Sequence, residues 1–278
     1  TRLYPMTRPC CKPLLPIYDK PMIYYPISTL MMAGIRDILV IVPPGGEQPF
    51  RDLLGDGSRY GISIRYRPQP QQRGIADALL VGADFIGSDR VCLILGDNIF
   101  HGPGFQIDLD AAMSRETGAT VFGYYVEDPR AFGVVEFDLH GRALSIEEKP
   151  ARPRSHYIIP GLYFYDNRVV DYARQIEPSP RGELEITAVN NRYLQDGELH
   201  VIRLGHRFCW YDTGNAEDMF AASAAVRRLM LEKREWVGCL EKVAYEKGYI
   251  DRDGLLAAAG ELSNTAYGAL LRRLAARD

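Results

Sequence analysis

Apolar and polar positions in the first half of the chain follow two rhythms in alternation. One is the short unbroken apolar run, as in Asp37 to Val42, Ile62 to Tyr66, Val91 to Leu95 and Thr120 to Val126, and each run predicts a strand. The run Val91-Cys92-Leu93-Ile94-Leu95 reads as a strand buried on both faces. The other rhythm spaces apolar residues three to four apart. Pro21 to Ala33 has Pro near its start and Gly34 after its end, as a helix does. Gln48 to Leu54, Ile75 to Phe85 and Ile107 to Arg115 predict further helices. Strands alternating with helices imply an α/β fold whose sheet is mostly parallel and flanked by helices.

The second half changes rhythm. Val134 to Phe137 and Ala143 to Ile146 flank Asp138-Leu139-His140-Gly141-Arg142, which predicts a hairpin. Tyr157 to Tyr165 is another strand candidate, Asn167 to Ile176 and Ile186 to Leu194 are helix candidates, and the stretch Trp210 to Gly214 ends the last apolar strand. Beyond Gly214 the pattern is helical over Ala216 to Lys233, Arg252 to Ala259 and Thr265 to Ala276. The expected architecture is one α/β domain over 1–278: an alternating strand–helix half at 1–130, an antiparallel substrate lobe at 131–214 and a helical tail at 215–278.

Composition narrows the function classes. Among 278 residues, 46% are apolar and 25% charged, as in an ordinary globular protein, and the net charge of -3 is spread without a basic block that would suit nucleic acid. No apolar run approaches the length of about 18 residues that spans a bilayer. No leader peptide is visible, so the expected compartment is the cytoplasm. Cys10, Cys11, Cys92, Cys209 and Cys239 lack paired zinc spacing and read as reduced structural thiols.

Five short stretches carry candidate chemistry. In Leu95-Gly96-Asp97-Asn98 a carboxylate follows a strand, where open α/β sheets bind ligands. Asp97 there could hold a divalent cation against phosphate oxygens, or the stretch is a plain turn. Asp212, in Trp210-Tyr211-Asp212-Thr213-Gly214, could share that cation, or cap the next helix, for which Thr213 and Asn215 are stronger candidates. Arg2 and Lys12 lie in a segment stiffened by Pro5, Pro9, Pro13 and Pro16 and could clamp a polyphosphate; a solvated arm is the simpler reading of these residues by themselves. Glu147-Glu148-Lys149-Pro150 could place Glu148 on a sugar hydroxyl and Lys149 on a phosphate if the chain bends, or be an exposed charge pair. Arg181 precedes a helix start suited to an anion, in a stretch that reads equally well as a capping segment.

Seven motifs, in order, resemble the bacterial glucose-1-phosphate thymidylyltransferases of the sugar nucleotidyltransferase family. They are Lys20 to Pro26, Leu53 to Ser58, Leu95 to Asn98, Glu147 to Pro150, Gly161 to Asp166, Pro178 to Thr187 and Asp212 to Gly214. The resemblance implies a Rossmann-like nucleotidyltransferase fold that joins dTTP and α-D-glucose 1-phosphate into dTDP-glucose and pyrophosphate, the entry to dTDP-rhamnose and other deoxysugars. It implies Mg²⁺ held by Asp97 and Asp212, and catalytic Arg2, Lys12 and Lys149. Arg2 and Lys12 would bind the triphosphate, with Gln69 and Gly74 at the thymine edge and Asp97 beside the nucleotide. Gly133, Glu148, Lys149, Gly161 and Arg181 would form the sugar-phosphate pocket. It further implies a homotetramer with feedback by dTDP-rhamnose or nucleotide at an interface site near His101-Gly102 and Cys239 to Tyr249, where a plain packed helix is the simpler reading.

The chain also departs from the family pattern. The family's apolar strand and Gly-rich loop ahead of Thr-Arg are expected upstream of Thr1. Pro13, Phe132 and Pro160 stand where Gln, Tyr and Thr are usual, which would remove polar groups near the substrates. Alternative readings are a sibling enzyme that uses UTP or another sugar phosphate, and a truncated subunit that binds nucleotide sugars without catalysis. A NAD-dependent dehydrogenase is disfavoured, because no strand is followed by Gly-x-Gly-x-x-Gly.

Overall fold

The structure is a computed structural model that describes residues 2–276. Its strands are β1 (Pro16–Ile17), β2 (Lys20–Pro21), β3 (Asp37–Val42), β4 (Ser63–Pro68), β5 (Val91–Ile94), β6 (Asn98–His101), β7 (Ala119–Tyr125), β8 (Gly133–Phe137), β9 (Ala143–Glu148), β10 (Tyr157–Ile158), β11 (Leu162–Tyr165), β12 (Leu199–Arg203) and β13 (Cys209–Asp212). Its α-helices are α1 (Tyr24–Met32), α2 (Glu47–Leu54), α3 (Asp77–Val81), α4 (Ala83–Ile86), α5 (Phe105–Met113), α6 (Val169–Gln175), α7 (Ile186–Gln195), α8 (Ala216–Glu232), α9 (Leu240–Glu246), α10 (Arg252–Glu261) and α11 (Ala266–Ala275).

The α/β class holds, and the mostly parallel sheet does not. The large sheet has seven strands, in the order β5-β11-β7-β10-β8-β9, with β12 also beside β7. Among the described residues only β12–β7 and β3–β4 are parallel ladders. The cause is β11, which returns from the second half of the chain and inserts antiparallel between β5 and β7. β5 and β7, which simple alternation would make parallel neighbours, are therefore not bonded to each other, whereas β3 and β4 are. The hairpin β8–β9 forms as expected, with a register irregularity at Glu136/Phe137.

β3 and β4 form a separate ribbon. A cavity of about 390 Å³ lies between β3 and β5, lined by Ile38, Leu39, Leu79, Phe85, Cys92 and Leu93 among others. Among the described residues β5 pairs only with β11 and β3 only with β4, so each has an open edge. That is why β5 is only half-buried along its length, against the expectation of burial on both faces. By contrast β7 is bonded on both sides, and its first five residues are buried.

Local chemistry sets the element ends. Gly82 separates α3 from α4 where the sequence pattern runs on as one helix. Ile159-Pro160-Gly161 splits the Tyr157 to Tyr165 run into β10 and β11, since Pro160 has no N–H for the ladder. The tail helices have side-chain caps: Asn215 accepts from the Asp218 N–H, Asp251 from Gly254 and Thr265 from Gly268. In the Cys239 to Tyr249 segment, Leu240, Val243 and Ala244 of α9 pack in the same core as Ile27, Leu30 and Met31 of α1.

Candidate active site

The turn after β5 and the end of β13 meet through the β6–β13 ladder, whose register sets Asp212 opposite Asn98. Thr213 reinforces this: its backbone N–H and its hydroxyl both donate to the Asp97 carbonyl, at 3.1 and 2.8 Å. The two carboxylates feel each other. Burial pushes the Asp212 carboxyl above its ordinary range and the Asp97 charge adds to this, while Lys12 and Arg2 act against it. Asn215 caps α8, so Asp212 is not spent as a helix cap. Among the described residues no donor is hydrogen-bonded to the Asp212 carboxylate.

Asp97 is held on both oxygens. Asn98 Nδ2 donates to Oδ1 at 2.9 Å, and Lys12 Nζ forms an ion pair with Oδ2. Asn98 is buried, and its own Oδ1 accepts from Trp210 Nε1 at 2.6 Å and from the Gly161 N–H at 3.2 Å. The stretch is also a turn, since the Asn98 N–H donates to the Leu95 carbonyl at 3.2 Å, so the two sequence readings of this segment coexist.

A second cluster lies on the β8–β9 hairpin. Gly133 is paired with Glu148 across the ladder. Glu148 Oε2 accepts from Thr187 Oγ1 at 2.5 Å, and its Oε1 lies 3.5 Å from both Lys149 Nζ and Arg181 Nη2. The bend needed to bring Glu148 and Lys149 together is present, because Lys149 adopts a left-handed backbone with φ 45°. A Cβ on Gly133 would sit 3.0 Å from Thr187 Oγ1 and 3.4 Å from Glu148 Oε2, so the missing side chain leaves this spot open. Arg181 also pairs with Glu185 at 2.7 Å and Glu183 at 3.3 Å.

The two clusters are neighbours. Tyr163 is buried, and both Glu148 and Asp97 push its hydroxyl upward, after the larger effect of burial. Phe132, before Gly133, packs edge-on against Trp210 with ring centroids 5.4 Å apart. Gly161 joins them: its carbonyl accepts from the Leu95 N–H at 2.9 Å, and a Cβ there would come within 2.5 Å of the Leu95 side chain.

Gln69 and Gly74 stand on the loop after β4. Gln69 Nε2 donates to Asp77 Oδ2 at 2.8 Å and Arg73 donates to Oδ1 at 2.7 Å, so a buried aspartate fixes that amide. Gly74 has φ 108°, and a Cβ on it would sit 2.5 Å from the Leu184 carbonyl oxygen. This loop is thereby stitched to the segment carrying Arg181, through the Leu184 N–H to the Arg73 carbonyl and the Ala76 N–H to the Leu184 carbonyl. No spacing or residue pattern singles out Asn98, Thr187 or Asp77. The first two lie inside the motifs that carry the family resemblance, the only signal for them; Asp77 lies in none.

Two oxygen-donor aspartates fit a hard divalent cation whose shell is completed by substrate phosphate and water. Among the described residues no group of three or more His, Cys, Asp or Glu could hold a metal unaided. The cysteines stand apart from this chemistry. All five are free, burial pushes the Cys92 thiol up, and burial followed by the Glu241 charge pushes Cys239 up to about 12. Among the described residues no helix is long and apolar enough to cross a membrane.

Comparison with known proteins follows the same lines. The family model described as nucleotidyl transferase matches residues 1–228. A protein of Neisseria gonorrhoeae named glucose-1-phosphate thymidylyltransferase is 52% identical over 274 residues, covering 99% of this chain and 95% of its own. One of the same name from Mycolicibacterium smegmatis is 50% identical, covering 100% and 96%. A Bacillus anthracis crystal structure, assigned as such an enzyme and carrying sucrose, superposes with a TM-score of 0.75 at 38% identity, covering 81% of this chain and 90% of its own. A UDP-glucose pyrophosphorylase bound to UDP-glucose shares the fold, with a TM-score of 0.72 at 20% identity over 82% of this chain and 94% of its own.

Proposed function

The chain belongs to the nucleotidyl transferase family, and we propose that it joins dTTP to α-D-glucose 1-phosphate, releasing pyrophosphate and giving dTDP-glucose. The observation that carries this reading is the adjacency of the two clusters. Asp97, Asp212, Lys12 and Arg2 form one; Gly133, Glu148, Lys149 and Arg181 form the other; Asn98, Gly161 and Tyr163 link them.

The reaction needs these residue types. A phosphate oxygen of the sugar phosphate attacks the α-phosphorus of the nucleotide, and the bond from that phosphorus to the pyrophosphate oxygen breaks. The nucleophile is already anionic near neutral pH, so no base has to remove a proton. The barrier lies in bringing two polyanions together and in the charge that spreads over the phosphorus, which positioning and cations lower. Lys149 would hold the attacking phosphate. Lys12 and Arg2 would bind the triphosphate, and Arg2 would stabilise the departing pyrophosphate. Glu148, steadied by Thr187, would take a sugar hydroxyl beside Gly133 and Gly161, with Arg181 at the rim. Gln69, its amide fixed by Asp77, would read the thymine edge next to Gly74. Mg²⁺ on Asp97 and Asp212 would supply charge neutralisation at the phosphate oxygens.

The same reading places the protein in the cytoplasm, at the entry to dTDP-rhamnose and related deoxysugars. It gives it a homotetrameric form with an effector site near His101 and α9. The test is pyrophosphate release with dTTP, glucose 1-phosphate and Mg²⁺ omitted in turn. Release only with all three present is the expected result. Equal turnover with UTP would move the specificity to a sibling enzyme, and no release from any nucleotide or sugar phosphate would overturn the reading.

A further inference from the structure

We propose that Lys12 is a built-in counter-ion that closes the cation site in the nucleotide-free protein and is drawn off Asp97 by an incoming triphosphate. This rests on the functional reading above. It follows from how the two oxygens of Asp97 are held. Oδ1 is bound by Asn98, which is only 2% exposed and is itself fixed by Trp210 and Gly161, so that contact is part of the framework. Oδ2 is bound by Lys12, whose side chain is 26% exposed and lies at the start of the single turn Lys12–Leu14. One partner is locked in the core; the other is a flexible four-carbon stem at the surface.

A divalent cation needs an oxygen of Asp97, and Oδ2 is the one whose partner can leave. The charge balance points the same way. Asp97 and Asp212 are close enough to interact, Lys12 and Arg2 are the cations that act on Asp212, and Lys12 is also paired with Asp97. With Lys12 on Asp97, part of the attraction that would draw a divalent cation is already cancelled. A triphosphate brings several negative charges for the Lys12 ammonium, so Asp97 is released when the phosphate oxygens that complete the metal shell arrive. Cation and nucleotide are then coupled, each favouring the other, and free cation binds weakly.

The test is Mn²⁺ binding without nucleotide, read from loss of the free-ion electron paramagnetic resonance signal. Lys12→Met should bind Mn²⁺ about tenfold more tightly than the unaltered protein, the step expected when one partly buried ion pair stops competing. The gain should vanish in Lys12→Met/Asp97→Asn. Equal binding by the unaltered protein and Lys12→Met, or a gain that survives loss of Asp97, would overturn the proposal. A second measurement needs no variant. At Mn²⁺ concentrations where that signal shows binding to the unaltered protein, amine-reactive labelling of Lys12, quantified by peptide mass spectrometry, should rise. Unchanged labelling would overturn the proposal. Neither assay contains a nucleotide, so either can fail while the pyrophosphate test succeeds, and the reverse.

Discussion

Replacing the two candidate metal-holding aspartates one at a time should shift stability in opposite directions while both changes abolish activity. Asp212 is half-buried, and its carboxyl is pushed up by burial and then by Asp97, with Lys12 and Arg2 in partial opposition. A folded-state pKa above the unfolded value means that the folded protein holds this proton more tightly. Ionisation therefore costs folding free energy: the cost is absent below the unfolded pKa of about 3.9, grows as pH rises and is complete above the folded pKa. Asp212→Asn keeps the shape and removes the charge. Near neutral pH, where the carboxyl would otherwise be ionised at a cost to folding, the variant should therefore be the more stable protein and melt at a higher temperature. Asp97→Asn does the reverse, because it gives up the ion pair with Lys12 and, with its oxygen kept on Asn98 Nδ2, turns its NH2 toward the Lys12 ammonium. Exposures of 26% and 27% for Lys12 and Asp97 limit that loss to about 1 kcal/mol. Thermal melting of metal-free and nucleotide-free protein near neutral pH, beside a pyrophosphate-release assay, reads both effects. Turnover should fall by about a hundredfold or more in each variant. Melting points that move together, or an active Asp212→Asn, would refute the reasoning.

Three further outcomes follow from the same geometry. Gly133→Ala places a methyl group 3.0 Å from Thr187 Oγ1 and 3.4 Å from Glu148 Oε2, so it should raise KM for the sugar phosphate by about tenfold, with KM for dTTP little changed; steady-state kinetics in each substrate decides it. Gly74→Ala combines a φ of 108° with backbone of Leu184 at 2.5 Å, neither of which can yield cheaply, and should cost about 2 kcal/mol or more in denaturant unfolding. Asp166 is the structural counterpart of Asp212. Burial opposes its ionisation, but Arg168, the Gly118 N–H at 2.7 Å and the Tyr193 hydroxyl at 2.7 Å outweigh that and hold the carboxyl below its usual range. Its stabilisation is present above the unfolded pKa and is lost as pH falls through the folded one. Asp166→Asn should therefore cost about 1–3 kcal/mol at neutral pH, a gap that closes toward acid; a gap independent of pH would count against it.

What was legible in the sequence was local. The Asp37 to Val42 strand has the expected bounds, because its pattern and the following Pro43-Pro44-Gly45 define both ends within a few residues. Asn215 caps its helix as an Asn before an apolar-periodic run should. Order along the sheet was not legible. The β11 strand is bonded to β5 about seventy positions earlier, and no spacing rule announces an antiparallel insertion at that separation. The candidate site divides the same way. Asp97 and Asp212 each end an apolar run, a signal visible in one dimension. Asn98 and Thr187 matter through whom they touch, and Lys149 turns toward Glu148 through a left-handed backbone that its residue type does not advertise. A lone basic residue such as Arg2, Lys12 or Arg181 has no periodicity, and only folding reveals which carboxylates it faces.

In the proposed reaction Asp97 and Asp212, brought together by the β6–β13 ladder, would hold one cation against the nucleotide phosphates. Crystals soaked with Mn²⁺ and dTTP test it most directly, by anomalous diffraction at the manganese edge. The expected result is one peak within coordination distance of both carboxylates and of phosphate oxygens, with Lys12 Nζ moved from Asp97 onto the triphosphate. Bound nucleotide with no metal between the two aspartates, or with the metal held by other side chains, would contradict it.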